Sequence, residues 1–132
     1  MTNSPQLNVL SVVVKEMARS MAFYRLCGLP VPDGAETEPH VDVPVVDGFR
    51  IMFDTVEVVR SLEPDWTPPS GGHRMSVAFD CGTPAEVDAV HAALIDAGHQ
   101  SHLEPFDAFW NQRYAVVLDP DGNPVDFYAA LG

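Results

Sequence analysis

The sequence predicts an α+β fold: two βαβββ modules whose strands form an open, cup-shaped mixed sheet with the helices outside. Three observations carry this. Strand-like and helix-like segments run in the same order twice, with a period of about half the 132-residue chain. A stretch rich in Pro and Gly, Pro64 to Gly72, separates the two runs. Each run holds a tight-turn signal near its end, Asp47-Gly48 in the first and Asp119-Pro120-Asp121-Gly122-Asn123 in the second. A βαβββ unit covers one sheet face with its helix and leaves the other bare. Two such units side by side curl around the bare faces. One parity of side chains then faces the helix and the other faces the cup. The expected division is a single domain over 1–132, with module one over about 7–54, a linker over about 55–72 and module two over about 73–130.

Met1 to Gln6 is a polar lead, expected to be loose. Leu7 to Val14 is rich in β-branched residues and too short for a typical helix, so it reads as a buried strand. Met17 to Cys27 places Met17, Met21 and Tyr24 near helical spacing and stops at Gly28, a usual helix-terminating residue. Leu29 to Val31 is expected as a short strand and Pro32 to Pro39 as a loop. His40 to Val46 reads as a strand that Pro44 confines to a sheet edge or bulge. Phe49 to Asp54 returns as its partner across Asp47-Gly48. Glu57 to Leu62 reads as a helical turn ahead of the linker, in which Trp66 packs over a core edge or lids a pocket.

Arg74 to Cys81 begins the second run as a strand. Thr83-Pro84-Ala85-Glu86 opens a helix: Thr83 suits the N-cap, Pro84 the first helical position, and Glu86 completes a capping box. Val87, Val90, Leu94 and Ile95 carry that helix to Gly98, with His91 expected at its surface. His99 to Pro105 is a strand candidate. The terminal hairpin then runs from Tyr114 through the Asp119–Asn123 turn to Tyr128, and Asp126 stands as a lone carboxylate in its closing strand.

Composition excludes several functions. The formal net charge is −12 and Lys15 is the only lysine, so cations to displace counterions from phosphates are few and no nucleic-acid partner is expected. An acidic surface keeps a protein in solution or attracts cationic small molecules. No apolar run is long enough to span a membrane, and no basic stretch followed by an apolar one opens the chain; the expectation is a cytoplasmic protein. Cys27 and Cys81 lack metal-ligand or redox spacing and read as reduced structural thiols. No nucleophile elbow, phosphate loop or H-E-x-x-H motif is present.

The segment MARSMAFYRLCGLPV resembles the first helix of the vicinal oxygen chelate superfamily, the glyoxalase, bleomycin-resistance and extradiol-dioxygenase proteins. LDPDGNPVDFY resembles its terminal hairpin. FWNQRYAVVLDPDGN is similar to the bleomycin-resistance branch, with Asn111 where that branch often carries Gly. The resemblance covers nearly the whole chain and implies the cup fold, a small-molecule ligand and a homodimer. This fold hosts metal enzymes and metal-free binders alike.

Metal-dependent members of that superfamily take ligands from the first and last strands of each module. Those positions fall here on Val9, Met52, Ser76 and Asp126, and only Asp126 is a good ligand for a hard or borderline divalent metal. Asp54, His73 and Asp126 would need an unusual geometry, and His40, His99 and His102 show no paired ligand spacing. The expectation is therefore no metal and no cofactor. What remains is an aromatic cup. Trp66, Phe106, Trp110, Tyr114 and Tyr128 supply flat walls; Gln112, Ser76, Met52 and Asp126 complete the candidate ligand-binding set. Aromatic faces with one carboxylate suit a planar or cationic ligand, with drug sequestration as a use. Arg113 ties the hairpin to a carboxylate in this reading. The alternatives are a metal-dependent lyase or dioxygenase with non-standard ligands, or a metal-free isomerase using Asp126 as base.

Overall fold

A computed structural model describes residues 5–132. The loose lead expected over Met1 to Gln6 lies, for residues 1–4, outside the described residues. In chain order the elements are β1 (Val9–Val14), α1 (Met17–Leu26), a 3-10 turn (Ala35–Thr37), β2 (His40–Val46), β3 (Phe49–Thr55), α2 (Val56–Leu62), β4 (Val77–Asp80), α3 (Pro84–Asp96), β5 (Gln100–Ala108), β6 (Gln112–Leu118) and β7 (Pro124–Ala130). The strands divide into two mixed sheets of orders β1-β3-β2 and β4-β7-β6-β5. The halves correspond strand for strand: β1 runs parallel to β3 as β4 does to β7, and β2 runs antiparallel to β3 as β6 does to β7. This is the α+β architecture that the repeated pattern implies.

The first half lacks one expected strand. Leu29 to Val31 does not pair, because the end of α1 claims its backbone. Gly28 turns at φ 99° and Leu29 N–H donates back to Tyr24 at 3.0 Å, a helix-closing arrangement. Val31 N–H folds onto Leu29 at 2.8 Å, and Pro30 and Pro32 have no N–H to offer a ladder. The strand expected over Arg74–Cys81 is also shorter, Val77–Asp80. Val77 pairs with Val125, and the next place on β7 is Pro124, which cannot donate. β5 is longer than expected. It accommodates Pro105 on an outer strand through register shifts between Ser101 and Leu103 and between Leu103 and Phe106. Pro44 likewise sits on the outer strand β2.

One parity of each sheet builds the core. Ile51 and Phe53 of β3 and Val41 and Val43 of β2 meet Met21, Phe23 and Tyr24 of α1. Ala115, Val117, Val125 and Phe127 take the same role under Val87 and Leu94 of α3. Fully burying a side chain such as Phe53 or Leu94 contributes about 1.5–3 kcal/mol. α3 starts as its sequence demands: the Thr83 hydroxyl accepts from Glu86 N–H at 3.3 Å, with Pro84 in the first turn. His91 is not at the surface. It is buried on the α3 face toward β5 and is bonded to the Ser101 hydroxyl at 2.8 Å. The opposite parity, Arg50, Met52 and Asp54 on β3 and Tyr114, Val116, Asp126 and Tyr128 on the hairpin, is turned away from the helices.

Candidate binding site

The second sheet presents an aromatic wall. Tyr114 on β6 lies opposite Tyr128 on β7 and opposite Phe106 on β5, so three rings share one row. Trp110 reaches that row from the β5–β6 turn. Asn111 makes the turn possible by adopting φ 65°, the left-handed region that a Gly there would also take. The Trp110 indole N–H donates to the Gln112 side-chain oxygen at 2.8 Å, which fixes the ring beside Tyr114 at a centroid separation of 5.4 Å.

Asp126 sits one row on, opposite Val116. The Tyr114 hydroxyl donates to its Oδ2, and the Ser76 hydroxyl lies 3.5 Å from the same oxygen. Burial, and then the hydrogen bond to Asp126, push the Tyr114 phenol up to about 12. It therefore remains a proton donor through the neutral range, holding the carboxylate against the aromatic row.

A cleft of about 900 Å³ runs between β1 and β4, the two sheet edges that face each other. Ser11 and Val13 line one side, Ser76 and Val77 the other, and Trp66 and Pro68 close it from the linker. Arg60 of α2 also lines it and donates through Nε to the Trp66 carbonyl at 3.1 Å, which ties the linker down. Of the sequence-expected residues, Trp66 and Ser76 line this cleft. Trp110, Gln112, Tyr114, Phe106, Tyr128 and Asp126 gather on the neighbouring sheet face, outside the cleft lining. Ser76 belongs to both. Met52 does not join them: it sits on the first sheet between Ser11 and Asp42.

The four positions that the resemblance implies for metal ligands, Val9, Met52, Ser76 and Asp126, do not fit a divalent ion. Val9 has no donor, Met52 offers only a thioether on the other sheet, and Ser76 offers a hydroxyl turned to Asp126. Asp126 is the one strong donor. Among the described residues no three His, Cys, Asp or Glu side chains converge as an ion would require.

One polar group escaped the sequence reading. His40 shows no spacing to a partner along the chain, but the β2–β3 register puts it opposite Asp54. Its Nδ1 lies 2.5 Å from Asp54, its Nε2 lies 3.3 Å from Asp42, and Asp42 also accepts from Arg50 at 3.2 Å. The hydrogen bond to Asp54, with further help from Asp42 and against a smaller effect of burial, raises the His40 pKa above its ordinary value. Counting back across the Asp47-Gly48 turn puts Thr55 opposite His40; the register shift between Pro44 and Val46 moves the pairing by one residue and brings Asp54 there instead. Duplication makes the His40–Asp54 pair the counterpart of Tyr114 and Tyr128, which occupy the matching positions on β6 and β7. Arg113 holds Asp88 of α3 at 3.0 Å and Asp107 of β5 at 3.1 Å, so it braces the hairpin and is turned away from the wall. Burial raises both the Cys27 and the Cys81 thiol, as expected for structural cysteines.

Among solved structures with this fold are a glyoxalase/bleomycin resistance protein/dioxygenase family enzyme from Burkholderia phytofirmans PsJN and a glyoxalase-related enzyme from Fulvimarina pelagi. The first has a TM-score of 0.80 at 20% identity, covering 96% of this chain and 100% of that one. The second has a TM-score of 0.77 at 18% identity, covering 94% and 87%. A glyoxalase/bleomycin resistance protein/dioxygenase from Nocardioides has a TM-score of 0.72 at 21% identity, covering 99% and 87%. At these identities the likeness is one of fold. No curated protein matches the sequence. No helix among the described residues is long and apolar enough to cross a membrane. The family model described as Glyoxalase/Bleomycin resistance protein/Dioxygenase superfamily matches residues 6–127, nearly the whole chain, and the protein belongs to that superfamily.

Proposed function

We propose that the protein binds a small molecule carrying an aromatic or cationic group, without a metal ion, and holds it rather than transforming it. The observation that carries this reading is the Tyr114–Asp126 pair: a carboxylate fixed against an aromatic row and joined through Ser76 to a cleft of drug-sized volume. The body of the ligand lies under Trp66 in the cleft and its head reaches Tyr114 and Trp110. Sequestration of a drug is a use that such binding supports. The proposal includes a cytoplasmic homodimer; half-exposed Leu103 and fully exposed Phe109 supply apolar surface that a second copy would cover.

Titration of tryptophan fluorescence with a panel of planar and cationic compounds tests the binding. The expected result is a saturable change that persists in chelator and that weakens about tenfold in Trp110→Ala, the scale of one ring–ligand contact. A panel without any saturable response, or an affinity unchanged in Trp110→Ala, removes the reading. The His40–Asp54 contact favours a second one, a metal-free isomerase in which these groups and Asp126 move protons. Turnover that is lost in His40→Gln while binding persists would decide for it.

A further inference from the structure

Trp110 is the hub of a corner and not of a stack. Its ring meets Phe106 at 90°, Phe109 at 88° and Tyr114 at 80°, with centroids 6.4, 4.9 and 5.4 Å away. Phe106 and Tyr114 stand at 66° to each other, 6.2 Å apart. A flat ligand ring inserted between walls needs two of them parallel, and none of these pairs is. A rounded cation has no such requirement. Its methyl surface is the same on every side, and it gains from each ring face it meets. Trp110 and Phe106 are 45% and 36% exposed, so part of each side chain is open to solvent.

The charge beside this corner is negative and uncompensated. Asp126 Oδ2 accepts from Tyr114 and Ser76, both neutral donors, while Oδ1 takes no hydrogen bond among the described residues. Among those residues no Lys, Arg or His forms an ion pair with Asp126. Arg113, which shares the hairpin, is committed to Asp88 and Asp107. The net charge of −12 adds a field of the same sign.

We propose that this corner binds an alkylammonium group, with Trp110, Tyr114 and Phe106 as walls and Asp126 as countercharge; the inference narrows, and rests on, the small-molecule-binding reading above. It makes the ligand group a methylated or quaternary amine, favoured on Trp110 over a neutral planar ring, which could stack on only one wall at a time.

The test uses 15N-labelled full-length protein and follows the Trp110 indole N–H resonance, identified by its survival in Trp66→Phe. The probes are choline, its neutral isostere 3,3-dimethylbutan-1-ol, and neutral benzamide as a planar ring. Choline is expected to shift the Trp110 resonance with an affinity about tenfold better than the isostere, the scale of a cation held by ring faces. Asp126→Asn is expected to erase that difference, and Phe106→Leu, at the exposed edge of the wall, to weaken choline with the protein spectrum otherwise unchanged. Equal affinity for choline and its isostere overturns the inference, as does an advantage untouched by both variants. If benzamide moves Trp110 and choline does not, the inference falls and the broader binding reading stands. If no probe moves it, the inference falls, and the panel titration above decides the broader reading.

Discussion

The Tyr24 phenol donates to the Asp119 carboxylate at 2.7 Å inside the protein, joining α1 of the first half to the turn of the terminal hairpin. Asp119 also accepts from Asp121 N–H, Asn123 N–H and the Asn123 side chain, at 2.9, 2.8 and 2.9 Å. The turn is thus folded around one buried carboxylate, and Tyr24 clamps it to the other half. Lys15 N–H donating to Asp121 at 3.0 Å adds a second tie. Tyr24→Phe removes the clamp and leaves the turn bonds in place. It is expected to destabilise by about 2 kcal/mol, the scale of a hydrogen bond to a charged group. Asp119→Ala, which also removes the acceptor of the Asp121 and Asn123 amides, is expected to cost more. Urea unfolding at neutral pH measures both. An unchanged midpoint in Tyr24→Phe would mean that the halves are held together elsewhere.

The two thiols are expected to differ in reactivity. Burial first, and then the nearby Asp119 and Cys81, raise the Cys27 pKa, while Cys81 is raised mainly by burial and is partly relieved by the contact of its thiol with the Tyr128 backbone. The thiolate is the reactive form. Under native conditions at pH 8 both should react with a disulfide reagent more slowly than free cysteine, with Cys27 the slower. Comparing Cys27→Ala with Cys81→Ala resolves the two phases, and a fast Cys27 phase would contradict its burial.

The parts of the fold legible in the sequence are those set by local chemistry. The Thr83-Pro84 pair starts α3 because hydroxyl and ring act within one turn, Thr83 accepting from Glu86 N–H. Asp47-Gly48 and Asp119–Asn123 make turns where written, since Gly48 and Gly122 take φ 77° and 85°. What was not legible depends on distant partners. Leu29–Val31 has strand composition, but the Leu29 N–H is committed to Tyr24 of α1 and the Val31 N–H to the Leu29 carbonyl. His91 looks like a surface residue by sequence and is buried because α3 lies on β5, where Ser101 meets it. At the site, parity along β6 and β7 put Tyr114, Asp126 and Tyr128 on one face correctly. It could not show that the open cleft lies at the β1–β4 edge, because that depends on how the two sheets meet.

The Tyr114–Asp126 bond makes a prediction at high pH. Tyrosine ordinarily titrates near 10, and burial followed by the Asp126 bond lifts Tyr114 to about 12. The folded state therefore favours the protonated phenol. This contribution to stability is complete below pH 10 and declines as the pH rises toward 12. In Asp126→Asn the Tyr114 phenol should ionise at lower pH, visible as an earlier rise in tyrosinate absorbance. Tyr114→Phe should abolish that component. Identical alkaline titrations of the parent and Asp126→Asn would show that the carboxylate does not hold the phenol.

His40 gives a pH dependence of the same sign in a different range. Its pKa is raised above 6.5, chiefly by the hydrogen bond to Asp54 and with help from Asp42. Asp42 is itself lowered, because hydrogen bonds from His40 and Arg50 outweigh the effect of burial. Protonated His40 is thus favoured by folding. Its contribution is complete below about pH 6.5, the unperturbed histidine value, and is lost as the pH climbs through the higher folded value. The ring is 44% exposed, so solvent screening limits the effect to no more than about 1 kcal/mol. His99 provides a contrast in the same molecule: burial first, and then Arg19, lower its pKa, and its ring sits edge-on to Phe23 at 4.9 Å. Proton NMR should therefore place the His40 midpoint above that of His99, and Asp54→Asn should draw the two together. The stability lost in His40→Gln should be larger at pH 5.5 than at pH 9. A His40 midpoint at or below that of His99 would mean that the Asp54 contact does not carry charge, and would remove the basis for a proton-transfer role on the first sheet.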